Sequence, residues 1–167
     1  DSCPQTVGNS TIDVFGCPDL DGDGYSYHSD FDDNNSAEWS DMDNDGVGDN
    51  GDQCPFVAGN VASGADIGCP DSDGDGYADR VDDMPNDASQ HQDTDGDGFG
   101  DNQQGNDPDI FPSDSTQWSD YDGDGFGDNP QGTNRDVFPD DPTQWQDTDG
   151  DGYGDNNSDD CISNSGT

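Results

Sequence analysis

Asp71 to Asp82 reads DSDGDGYADRVD. Its carboxylates, Asp71, Asp73, Asp75, Asp79 and Asp82, stand at places 1, 3, 5, 9 and 12, with glycine at place 6 and an aromatic ring at place 7. Calcium takes six to eight oxygen ligands at about 2.3–2.6 Å in a tolerant geometry. A loop offering side chains at alternate residues, plus the backbone carbonyl of place 7, can wrap such an ion, and Gly76 permits the sharp turn at place 6. This spacing is the ligand pattern of a hard cation.

Five further loops repeat it. Asp41, Asp43, Asp45, Asp49 and Asp52 fit the same frame. The loop from Asp19 supplies Asp19, Asp21, Asp23 and Asp30 but has Tyr27 at place 9, which predicts a weaker site. Asp93, Asp95, Asp97 and Asp101 open a loop with Gln104 at place 12, and Asp120, Asp122, Asp124 and Asp128 open one with Gln131 there. Each of these two continues into an insertion, after which Asp109 and Asp136 stand before an "FP" pair. We expect both to return to the same site. The last loop supplies Asp147, Asp149, Asp151 and Asp155, with Asp159 one residue late. Magnesium favours hydrated octahedral sites and zinc favours Cys or His, so the reading is Ca2+.

The loops belong to larger repeats. Asp71 and Asp93 each follow Asp19 and Asp41 by 52 residues, and the later loops recur every 27. Between loops lies a second element: IFPSDSTQWSD (110–120) matches VFPDDPTQWQD (137–147), with weaker versions at 83–93 and 31–41. Trp39, Trp118 and Trp145 each stand two residues before a loop. The divisions expected are 1–51 and 52–102, each a Cys-bounded segment with two acidic repeats, then 103–129 and 130–161, each a repeat with the FPxDxTQW element, and 162–167, the start of an incomplete module or a tail.

Composition excludes most other classes. With 24% hydrophobic residues and a formal charge of −40, the chain cannot bury a conventional core. Glu38 is the only glutamate, lysine is absent, and the only fixed cations are Arg80 and Arg135. A halophile surface would use glutamate as well and would enclose an ordinary core. Nucleic acid and anionic membrane would be repelled. No stretch approaches the roughly 20 apolar residues of a membrane span. No catalytic constellation is present, and His28 and His91 have no Cys or His at ligand spacing, so no enzyme activity is expected.

The loop resembles an EF-hand, but its flanks, rich in Pro, Gly, Asn and Ser, lack a helical apolar period. The chain is more similar to the thrombospondin type 3 repeat family, with its D-x-D-x-D-G-x-x-D-x-x-D sequences, most clearly over Asp52 to Asp83. That resemblance implies an irregular, elongated array of tandem calcium-wrapped loops with little regular secondary structure and no conventional hydrophobic core. After residue 102 the FPxDxTQW element replaces cysteine and departs from the family pattern. The family commonly places two ions in a repeat, which makes Asp32, Asp33, Asp83, Asp87, Asp114, Asp140 and Asp141 further ligand candidates. Six loops would then hold about 6 to 12 ions, setting about +12 to +24 against the acidic charge. Metal binding and folding are expected to be one event.

Cys3 and Cys17, and Cys54 and Cys69, bound matching segments. The duplication suggests a disulfide within each pair, although spacing alone leaves connectivity open. Such bonds imply an oxidising, extracellular setting. Asn9 and Asn34 begin glycosylation sequons. The aromatic residues are expected to pack one repeat on the next, with a glycan as an alternative ligand for them. The chain opens at DSCPQ with no basic, apolar leader, so it reads as mature or excised. Asp1 resembles the last ligand of a preceding loop, and Cys161 resembles the start of a following module. The function expected is an extracellular calcium-stabilised rod or fibre subunit, partnered by copies of itself head to tail. Alternatives are a stalk adjoining other domains of a surface adhesin, a glycan- or protein-binding module, and, less favoured, a mineral-nucleating protein.

Overall fold

A computed structural model describes residues 2–155; Asp1, Asp159, Cys161 and the 162–167 segment lie outside the described residues. Among the described residues there is no helix and no extended strand. Regular pairing is confined to two isolated parallel bridges, Gly100 to Pro108 and Gly127 to Arg135. The fold is therefore irregular and loop-built. The chain divides into two compact units, Asp1–Asn86 and Asp87–Thr167.

Each acidic loop is a tight curl that needs the left-handed backbone region at places 4 and 6. Gly74 and Gly76 have φ of 82° and 100°, and Gly123 and Gly125 have 81° and 94°. At place 4 of the second loop stands Asn44, with φ of 64°. Asparagine tolerates that region better than other side chains, so the curl survives the substitution.

Among the described residues, the buried apolar side chains lie in the first unit. Cys3 is bonded to Cys17 and Cys54 to Cys69, with Cα separations of 5.1 and 5.0 Å. Cys69, Val61 and Ala78 are buried together, with Cys54 packed against them. Gly59 lies so close to the Cys69 carbonyl carbon that a Cβ on it would sit 2.1 Å away, and Gly8 repeats the approach at Cys17 with 1.9 Å. This explains why both Cys-bounded segments carry a glycine at the same place. Chain-entropy arguments give each disulfide, with sequence separations of 14 and 15, about 3 kcal/mol.

Among the described residues of the second unit the buried side chains are polar. Gln90, Asp109, Gln117, Asp136 and Gln144 take the interior. Apolar contact there is made by ring pairs: Phe99 stacks on Trp118 at 5.1 Å and Phe126 on Trp145 at 4.7 Å. Tyr25 and Trp39 make the same pair in the first unit at 5.8 Å. In each pair a ring at place 7 of one loop meets the tryptophan that precedes the next loop. Stacking of this kind adds about 0.5–1.5 kcal/mol beyond area burial.

Candidate metal centres

The six curls are held by one hydrogen-bond scheme. At place 1, one carboxylate oxygen accepts the N–H of place 4 at 2.7–2.8 Å, as in Asp71 with Gly74 and Asp120 with Gly123. Its other oxygen accepts the N–H of place 6 at 2.9–3.1 Å. At place 3, Oδ1 accepts the N–H of place 5 at 3.2 Å in every loop. At place 5, Oδ1 accepts the N–H of place 7 at 2.8–3.0 Å.

That scheme occupies Oδ1 and leaves Oδ2. In Asp21, Asp43, Asp73, Asp95 and Asp122 at place 3, and in Asp23, Asp97 and Asp124 at place 5, Oδ2 is buried and accepts no hydrogen bond. Asp45 differs, because its Oδ2 accepts the Gly59 N–H at 2.8 Å. Carboxylate oxygens of Asp19, Asp21 and Asp23 lie within 4.8 Å of one another, and so do those of 41/43/45, 71/73/75, 93/95/97 and 120/122/124. Asp147, Asp149 and Asp151 make the same backbone bonds in the last loop.

The closing aspartates converge on the same places. The N–H of Asp30, Asp52 and Asp82 donates to the carbonyl of place 8 (Ser26, Gly48 and Ala78) at 2.9–3.1 Å. Asp109 and Asp136 do the same to Gly100 and Gly127, at 2.9 and 2.8 Å, although a longer segment intervenes. In all five, Oδ1 accepts the N–H two residues on. The Oδ2 of Asp30, Asp52, Asp109 and Asp136 is buried and accepts no hydrogen bond. Asp109 is fully buried and Asp136 is 5% exposed.

Burial pushes the Asp109 carboxyl above its ordinary value; the Phe111 N–H opposes this, and the charges of Asp97, Asp95 and Asp101 add to it. Asp136 is raised in the same way, beside Asp124, Asp122 and Asp128. Burial also raises Asp30, beside Asp23, Asp21 and Asp33, and raises Asp43, beside Asp45, Asp52 and Asp41. The insertions thus deliver a buried carboxylate against places 3, 5 and 9 of their own loop.

Place 9 is committed differently. Asp49, Asp79, Asp101, Asp128 and Asp155 each accept the N–H of place 2, and Asp79, Asp101 and Asp155 also accept a place-2 hydroxyl. The place-9 N–H donates to the carbonyl preceding the loop in all six, including Tyr27 to Pro18. The first loop therefore keeps the backbone closure and lacks only the carboxylate.

The additional aspartates fall into three groups. Asp33 has a buried oxygen that accepts no hydrogen bond and lies beside Asp30. Asp87, Asp114 and Asp141 instead accept the hydroxyl and N–H of Ser89, Thr116 and Thr143. Hydroxyl hydrogen bonds hold Asp87 and Asp114 below the ordinary carboxylate value. Asp32 accepts the Asn34 N–H, and Asp83 and Asp140 join no loop triad named above.

Sequence reasoning missed one class of inward-facing residue, three buried glutamines and a half-buried glutamate. Gln90, Gln117 and Gln144 precede His91, Trp118 and Trp145, and Glu38 precedes Trp39. Each side chain lies over place 8 of the following loop, where a Cβ on Gly48, Gly100, Gly127 or Gly154 would approach it within 2.0–2.2 Å. The signal was present: place 8 is glycine after a Glu or Gln element and Ser26 or Ala78 after a Cys-bounded segment.

No protein-family model matches the chain, and no curated protein is significantly similar to it. Chemically, the centres are groups of hard oxygen donors with buried, uncompensated carboxylate oxygens. Buried charge of this kind is retained when paired or bound to metal. The donor sets therefore fit a metal cation. No helix of the described residues is long and apolar enough to cross a membrane.

Proposed function

We propose that this chain is an extracellular calcium-binding structural protein, a calcium-stabilised rod or fibre subunit built from thrombospondin type 3-like repeats, without enzymatic activity. The observation carrying this reading is the pair of closing aspartates, Asp109 and Asp136, buried with an unpartnered oxygen against the carboxylates of their loops. An all-oxygen, flexible set with several carboxylates suits calcium better than magnesium, which demands near-ideal octahedral geometry and keeps its waters. The two disulfides support an oxidising compartment, where millimolar calcium matches the affinities of extracellular modules. The aromatic pairs linking successive loops support a mechanical role, in which each ion stiffens one curl and each ring pair couples it to the next.

The test is a calcium titration of chelator-treated protein, with bound metal counted by elemental analysis and assembly followed by sedimentation and electron microscopy. The expected result is about 6 to 12 ions per chain and growth of filaments or discrete rods with calcium. Stoichiometric binding of fewer than two ions, or equal affinity for magnesium, would overturn the calcium reading. A strictly monomeric, compact species at saturating calcium would overturn the structural role.

A further inference from the structure

The amide clamps of the second unit do more than fill space. Gln117 is 1% exposed. Its Oε1 accepts the Asn129 N–H at 2.9 Å, while its Nε2 donates to the Asn129 carbonyl at 3.2 Å and the Thr133 carbonyl at 2.8 Å. Gln90, fully buried, repeats this with the Asn102 N–H at 2.9 Å and the carbonyls of Asn102 and Asn106 at 3.1 and 3.0 Å. Both ends of each insertion are thus wound onto one side chain. The next residues reach the bridges Gly100 to Pro108 and Gly127 to Arg135, and the following N–H, of Asp109 or Asp136, bonds to the place-8 carbonyl.

The loop from Asp41, which closes without an insertion, uses a different side chain at the same place. Glu38 accepts the Asn50 N–H at 3.1 Å, and the chain reaches Asp52 directly through Gly51. A carboxylate suffices there, because no insertion carbonyls face it. Facing two carbonyl oxygens, a carboxylate would offer no proton and would leave buried acceptors unsatisfied.

We propose that Gln90 and Gln117 are positioning residues for the cation ligands Asp109 and Asp136, and that their amide donors are what allow these two repeats to carry an insertion inside a metal loop. This rests on the calcium reading above. The amide fixes the insertion, the insertion fixes the closing N–H, and that bond sets the carboxylate against places 3, 5 and 9.

The test uses the full chain with Trp39→Phe and Trp118→Phe, which leaves Trp145 as its only tryptophan, stacked on Phe126 at place 7 of the loop from Asp120. Trp145 adjoins two loops, those from Asp120 and Asp147, so the parent and every variant also carry Asp147→Asn, Asp149→Asn and Asp151→Asn, and terbium luminescence sensitised by Trp145, with its displacement by calcium, then reads the loop from Asp120. Gln117→Glu should raise the half-saturating terbium concentration about 10–100-fold, the usual size of effect for a residue that orients a ligand. An added negative charge by itself favours a cation, so weakening cannot arise from charge. With Pro130–Arg135 replaced by one glycine, reproducing the Asn-Gly-Asp of the Glu38 repeat, Gln117→Glu should change binding less than about threefold, within ordinary context dependence.

Equal binding by Gln117→Glu and the parent in the long repeat would overturn the proposal. So would equal weakening in the long and shortened repeats, which would mark Gln117 as structural only. No calcium-displaceable terbium emission from the parent would instead refute the calcium reading itself.

Discussion

Replacing Asp109 by asparagine separates a ligand from a merely structural acceptor. Asparagine keeps the shape and the Oδ1 acceptor that holds the Phe111 N–H at 2.7 Å, but removes a fully buried negative charge beside Asp97, Asp95 and Asp101. Without metal, that removal relieves repulsion, so the variant should be at least as ordered as the parent in chelator. With calcium the sign reverses. Ligand charge count and rigidity tune oxygen loops over about six decades, so one lost carboxylate should weaken the site about 10–100-fold. For a mid-range site of about 10 μM in about 1 mM calcium, the linked stabilisation falls from about 2.7 kcal/mol to between 1.4 and 0.4, a loss of about 1–2 kcal/mol. At roughly 4–8 °C per kcal/mol, the melting temperature of the second unit should drop by about 5–15 °C. Thermal melts followed by tryptophan fluorescence, run in calcium and in chelator, read both arms. A fall of equal size in both media would refute the reasoning, because Asp109 would then serve as a backbone acceptor alone.

Asp109 and Asp136 are raised above the ordinary carboxylate value, so their contribution to metal-free folding is present below about pH 4 and is lost as pH rises through their folded-state values. Acidifying chelated protein from pH 7 to 4 should therefore increase hydrogen-exchange protection; Asp87 and Asp114, held low, lose their contribution only below that range. Calcium affinity should fall over the same acidification, because the ligands must be deprotonated. Reduction of Cys3–Cys17 and Cys54–Cys69 should destabilise the first unit by about 3 kcal/mol per bond and leave the melting of the second unchanged, read through Trp39 against Trp118 and Trp145. Gly127→Ala, whose Cβ would lie 2.1 Å from the Gln117 Oε1, should cost about 1–3 kcal/mol in denaturant melts.

The curls were legible because their chemistry is local. Asp71 to Asp82 carries its turn residue, its alternating carboxylates and its ring within twelve positions, and composition alone excluded an ordinary core. The paired cysteines were legible because the segment containing them occurs twice. The buried glutamines were not, since glutamine usually lies at the surface and its place inside depends on partners 12 and 16 residues away. The dual use of Asp101 and Asp128 was hidden for a related reason. A carboxylate at ligand spacing looks the same in sequence whether it faces a cation or accepts the N–H of Thr94 or Tyr121.

The bond from the closing aspartate to the place-8 carbonyl spans four residues in three repeats and nine in two, with lengths of 2.8–3.1 Å throughout. The chain between its ends is therefore free to change in length and content while the curl behind it keeps its register. Such a segment is a natural point for passenger peptides: an epitope or enzyme-recognition sequence inserted between Asn129 and Asn134 would be displayed from the repeat, provided its two ends still meet the Gln117 amide. Two such segments 27 residues apart would present passengers at a set interval along the chain, a molecular peg-board whose spacing is written in the repeat length.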